Sequence, residues 1–237
     1  MISTLGRQWL AFSEWGYLVL AATLVQAVLA SSLFILLPLW IARPVRTAEA
    51  RKLFVLIYFL LLGLAYMFLE MGFIQKMTLL IGHPVFGVAA TLVGFLFFSG
   101  CGSLACGRLL RRGRPARHLI VTAISVVVVL GIGEIVLLRL GFEWLVSFSR
   151  PARMMLGVLI TAPLAFFMGM PFPIGLKRLA ARSQPLVPWA WGVNGFASVT
   201  GAVLGTLLAI SAGFTAVVFV ALGGYLLAAV VSRRICP

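Results

Sequence analysis

Acidic residues are scarce in this chain, with five among 237 against nineteen lysines and arginines. Charged residues of both signs make up only 10% of the sequence, 62% is hydrophobic, and the mean hydropathy is +1.14. No hydrophilic stretch is long enough to fold into a nucleotide-binding domain, and no glycine-rich loop follows a strand pattern, so a nucleotide-binding domain is not expected. Histidine is limited to His83 and His118. They fall at opposite ends of the predicted spans, so they cannot jointly ligate one haem, and no Ser/His/Asp set arises. A carboxylate pair for hydrolysis of a soluble substrate is likewise unsupported. The three cysteines form no site: Cys101 and Cys106 lie five apart on a helix, hence on different faces, and Cys236 is in the tail. They read as free thiols serving as small apolar residues. No metal and no cofactor is expected.

What remains is a series of apolar runs, each long enough at about 20 residues to cross roughly 30 Å of hydrocarbon. Seven are predicted, at 17–41, 53–75, 84–107, 119–138, 154–176, 188–210 and 214–231. In lipid each must be a helix, because no water satisfies an open backbone. The expected fold is therefore all-α, a polytopic bundle of about seven transmembrane helices forming a single domain over 1–237. The first run carries a signal-peptide-like VLASS at 28–32, but its apolar stretch continues to Trp40, so a retained helix is expected.

The net charge of +14 would suggest nucleic acid in a soluble protein. Here the basic residues fall mostly in loops, so they set topology and no nucleic-acid partner is expected. Arg43, Arg46, Arg51 and Lys52 lie between helices 1 and 2. Arg108, Arg111, Arg112, Arg114 and Arg117 lie between helices 3 and 4. Lys177, Arg178 and Arg182 follow helix 5, and Arg233 and Arg234 end helix 7. These fourteen share one side, whereas Arg7, Lys76, Arg139, Arg150 and Arg153 fall on the other. The bias puts the N-terminus outside and the C-terminus in the cytoplasm of a bacterial-type inner (plasma) membrane. The basic side is expected to attract anionic lipid headgroups of that bilayer.

Connections are short except for two. Segment 140–153 contains Phe142, Glu143, Trp144 and Phe148 and should lie along the interface. Segment 177–187 is basic and runs to Pro185, just ahead of Pro188. The turn Ser211-Ala-Gly213 is so tight that helices 6 and 7 must form an antiparallel hairpin. No sequence repeat is visible. An inverted structural repeat, whose sequence trace is weak, stays open.

Glu70 sits deep in an apolar run, and a carboxylate in hydrocarbon costs several kcal/mol. By axial rise it lies roughly 9 Å from Lys76, and Glu134 on helix 4 reaches a similar depth. Tyr66 is one turn from Glu70 on the same face, Gln75 lies next to Lys76, and the turn at 81–84 places His83 nearby. One reading is a polar pocket open outward, suited to a cation or to proton exchange. The other is buried acids held by a neighbouring helix or by Lys76 for packing specificity.

A second cluster lies at the inner side. Pro171 and Pro173 remove backbone donors and are expected to break regular helix, leaving carbonyls that Asn194 could satisfy from helix 6. Gly195, Ser198, Gly201 and Gly205 form a small-residue seam with a GxxxG match at 201–205, and helix 3 has a similar seam at Ser99, Ser103 and Gly107. Tight packing alone also explains these positions. Trp189 and Trp191 read as interface anchors.

The segments 62–76 (LGLAYMFLEMGFIQK), 80–86 (LIGHPVF), 99–103 (SGCGS), 169–176 (GMPFPIGL) and 188–195 (PWAWGVNG) resemble, in that order, the C-terminal membrane part of spermidine-synthase-like integral membrane proteins. The resemblance covers roughly 17–232. It implies a helical block similar to half of a major-facilitator-type bundle. The acidic and glycine motifs that would bind decarboxylated S-adenosylmethionine and a polyamine are missing, so the family's aminopropyltransferase activity is not carried over. The function implied is a non-catalytic membrane subunit acting with a partner chain, such as a spermidine-synthase-like one, or as a homo-oligomer. Its basic face and the Pro171/Asn194 region would be the docking side. Two alternatives are a transporter-like protein for a small cationic solute such as a polyamine, and an electron-transfer or quinone-binding membrane subunit.

Overall fold

The computed structural model describes residues 2–42 and 49–235, with side chains over 15–41 and 52–234. It is 93% helical, and no strand occurs among the described residues. Helix α1 (Ile2–Ser31) passes through a π-helical turn at Ser32–Leu36 into α2 (Leu37–Ala42). Then follow α3 (Glu49–Ile81), α4 (Pro84–Arg111), α5 (Ala116–Leu140), the single turn α6 (Phe142–Val146), α7 (Arg150–Met168) and α8 (Pro171–Arg182). A 3-10 turn at Gln184–Leu186 leads into α9 (Val187–Ala212), and α10 (Phe214–Ile235) closes the described chain. Among the described residues seven segments are long and apolar enough to cross a bilayer, and they coincide with the seven predicted ones. α3 runs past its expected end at 75 to Ile81, so Lys76 is inside a helix rather than in a loop. Arg43, Arg46 and Cys236 lie outside the described residues, as do the side chains of Arg7 and Arg51.

α3 occupies the centre of the bundle. It packs against α4, α9 and α10. Its buried residues Phe68, Ala65, Tyr58, Leu62, Phe59 and Ile74 spread over roughly two thirds of the helix circumference at about 100° per residue, the pattern of a core helix. The first span is peripheral. It leans mainly on α9, where Gly192 faces Ile35 and Leu39.

Between helices in lipid there is little hydrophobic driving force, so close backbone approach carries the association. A methyl group on Gly63 of α3 would sit 2.7 Å from the Asn194 carbonyl of α9. Gly201 and Gly205 of α9 face Leu64, Met67, Phe68 and Met71 of α3, so the GxxxG seam lies on that interface. Gly195 instead faces Ile35 of the first span, and the α4 contact to α7 uses Gly102 against the Phe166 carbonyl, not Gly107.

The expected helix break is present but differs in kind. α7 ends at Met168, and Pro171 is the first residue of α8, with Pro173 in the same turn. The first-turn N–H groups of a helix have no intrahelical acceptor, so the missing donors of Pro171 and Pro173 cost nothing there. These prolines start a helix. At the opposite end, Arg153 donates Nη1–H to the Leu80 carbonyl (3.1 Å) and Nε–H to Phe148 O (2.9 Å), tying the α3 C-terminus to the loop before α7. Trp144, 63% exposed, lies on that loop as an interfacial aromatic.

Candidate functional site

Glu70 is 5% exposed and lines a cavity of about 670 Å³. The cavity is framed by α4 (Leu96, Ser99, Ser103) and α9 (Trp191, Asn194, Ser198), with α3 (Leu62, Tyr66, Glu70) and Tyr225 of α10 behind. The α7/α8 junction forms one wall with Met168, Gly169, Phe172 and Pro173. The two sequence clusters therefore meet: Glu70 and Tyr66 share one space with Pro173, Asn194 and Ser198. The reason is the α3 face. Leu62, Tyr66 and Glu70 recur every four residues, a single stripe two turns long.

Polar groups around Glu70 are hydroxyls and an amide. Tyr66 Oη and Ser99 Oγ are 3.4 Å apart. Tyr66 and the buried Tyr225 are both within electrostatic reach of the Glu70 carboxylate. Asn194 donates Nδ2–H to the Phe59 carbonyl (3.1 Å), and Ser198 donates Oγ–H to the Asn194 carbonyl (2.9 Å). Asn194 does not serve the helix break as expected. That carbonyl, Pro171 O, accepts the Tyr58 hydroxyl at 2.8 Å. Pro171 is buried and the Asn194 amide is engaged inside the bundle.

Phe172 packs edge-on against both Phe59 and Trp191, with centroids 5.3 and 4.8 Å apart. This gives the cavity an aromatic wall. No lysine or arginine lines it. Leu96, Gly100 and Trp191 on its rim are exposed, so it opens sideways between α4 and α9. A separate space of about 360 Å³ shares Ser103, Pro173 and Leu176 in its lining and borders the exposed Lys177. The lining residues thus run from Glu70 to Leu176 and Lys177 toward the arginine-rich end.

The remaining predicted residues are elsewhere. Glu134 lies on α5, 5% exposed, with neither carboxylate oxygen hydrogen-bonded. Its electrostatic neighbour is Lys76, not Glu70. Gln75 is exposed. His83 precedes α4, stacked obliquely on Phe86 at 5.0 Å, with its Nδ1 buried and unpartnered, and it does not line the cavity. Cys101 and Cys106 are unpaired, and the Cys106 thiol donates to Ser103 O. Among the described residues no cluster of three or more His, Cys, Asp or Glu exists.

Sequence reasoning had treated Ser99 and Ser103 as packing residues and Trp191 as an interface anchor, and it had not singled out Tyr225. A tyrosine at the centre of an otherwise apolar span was the available signal for Tyr225. No family model matches the chain, and no curated protein matches it.

Proposed function

We propose that this multi-pass membrane protein is transporter-like and takes a small cationic solute into the cavity at Glu70. The observation that carries the reading is one buried carboxylate in a space of about 670 Å³ lined, among the described residues, by no basic side chain. An intramembrane acid facing such a space marks a solute path more often than a packing device. An ammonium group would lie against Glu70, with the hydroxyls of Tyr66 and Ser99 beside it. Phe172 and Trp191 offer ring faces that favour cations. A single acid suits one ammonium group, so a monoamine with an apolar body fits better than a polyamine. The sideways opening suits a solute that already partitions into the bilayer.

The test is binding and uptake of radiolabelled hexylamine by protein reconstituted in vesicles. Glu70→Gln should weaken binding by roughly 30-fold or more, as expected for removing one partner of a desolvated charge pair, with little change in melting temperature. Unchanged binding rejects the reading.

The gap between α4 and α9 also supports a second reading, in which a helix of a partner chain enters there and the protein is a non-catalytic subunit. The resemblance to the membrane part of spermidine-synthase-like proteins motivates it. Purification in mild detergent from the native membrane should then recover a stoichiometric second chain, and recovery of this chain alone counts against it.

A further inference from the structure

A second pocket lies at the arginine-poor end, away from the Glu70 cavity. It encloses about 300 Å³ and is lined by Lys76 of α3, Arg139 of α5, Thr215 of α10, and Leu79, Ile135, Leu138 and Phe142. We propose that it holds the phosphodiester of a membrane phospholipid.

Charge comes first. Lys76 and Arg139 approach from two helices, and Arg139 sits in the last turn of α5. Behind Lys76 lies Glu134, buried, close enough to interact with it electrostatically, and without a hydrogen-bond partner. The only other acid on this loop, Glu143, is exposed on α6. Among the described residues Lys76 and Arg139 are the charged groups that line the pocket, and no carboxylate does, so the lining favours an anionic phosphodiester. The first N–H groups of α10 lack intrahelical acceptors, and Thr215 in that turn adds a hydroxyl. The positive end of the helix dipole adds to the same field.

Depth comes second. Lys76 is about 7.5 Å from the end of α3 at 1.5 Å per residue. Arg139 and Thr215 are at the ends of their helices. All three therefore lie at headgroup level. The apolar residues decide the source of the phosphate. Leu79, 62% exposed on the lipid-facing side, and Leu138 and Phe142 give an acyl chain a surface that a free phosphate ion would leave unused.

The experiment is native mass spectrometry of the whole chain in mild detergent with added phosphatidylglycerol. The wild type should retain one phospholipid per chain. Arg139→Gln, which changes an exposed side chain and leaves Glu134 untouched, should weaken the phospholipid's apparent affinity, read from occupancy across a lipid titration, roughly five-fold, the value of one basic residue at a membrane surface. Thr215→Val should lower it less. Lys76→Gln exposes Glu134 to an uncompensated site, so it is paired with Glu134→Gln, and the double variant should fold and retain lipid poorly. Excess inorganic phosphate should not displace the lipid. Equal retention by wild type and Arg139→Gln overturns the proposal, and so does displacement by inorganic phosphate, which would mark a free-anion site.

Discussion

Glycines at helix crossings act through what a methyl group would meet. On Gly102 the methyl would run into the Phe166 backbone carbonyl, whereas on Gly107 it meets nothing within 4 Å. A backbone carbonyl cannot swing aside, so α4 and α7 must separate. Gly102→Ala should therefore destabilise by about 1–3 kcal/mol. Gly107→Ala should be neutral or stabilising by up to about 1 kcal/mol, since alanine is the better helix former. Thermal melts of both variants in detergent check this, and equal losses would defeat the packing account. Tyr58→Phe deletes the bond to Pro171 O and should cost about 0.5–1.5 kcal/mol. Asn194 illustrates how far a residue can be read from sequence. An amide amid apolar helix demands a partner, and it has one. The partner is Phe59 O because Gly63 lets α3 and α9 come so close that a methyl group there would lie 2.7 Å from the Asn194 carbonyl. Which carbonyl it meets depends on that crossing, which no local pattern encodes.

At the scale of elements, length and hydropathy decide existence, and all seven spans are legible from them. The α7/α8 junction is the instructive difference. Two prolines in five residues mark a discontinuity, but they sit on its far side, at the start of α8. The interruption itself rests on Gly169, packed on the Ser99 carbonyl of α4, and on the Tyr58 hydroxyl. Pro171→Ala should accordingly change stability by less than about 1 kcal/mol, since alanine is also accepted in the first turn. Gly169→Ala should lower the melting temperature clearly, because its methyl group would collide with α4 backbone. If Pro171→Ala proves the more damaging of the two in the same melting assay, the proline itself holds the break.

At the scale of the molecule, what escapes sequence reading is azimuth. The spacing predicts a similar height for Glu70 and Glu134, and in the structure one lines a cavity while the other neighbours Lys76. α3 is apolar around its whole circumference, so no amphipathic stripe indicates which way Glu70 turns. α10, packed on both α3 and α5, makes the choice. Charge distribution is the one whole-molecule property visible in both. The described basic residues Arg111, Arg112, Arg114 and Lys177 are exposed at one end of the bundle, and Trp144 at the other. Cations are retained on the cytoplasmic side during insertion, so the orientation we propose puts the α4–α5 turn inside. A single cysteine at Arg114, with Cys101, Cys106 and Cys236 replaced by serine, should react with a membrane-impermeant maleimide only in inverted vesicles. A cysteine at Trp144 should react only in right-side-out cells. The two reporters sit at opposite ends of α5, so they must label oppositely if the helix spans the bilayer. Reversal of both would place the α4–α5 turn outside and overturn the orientation. Labelling of both from one side would remove the span altogether.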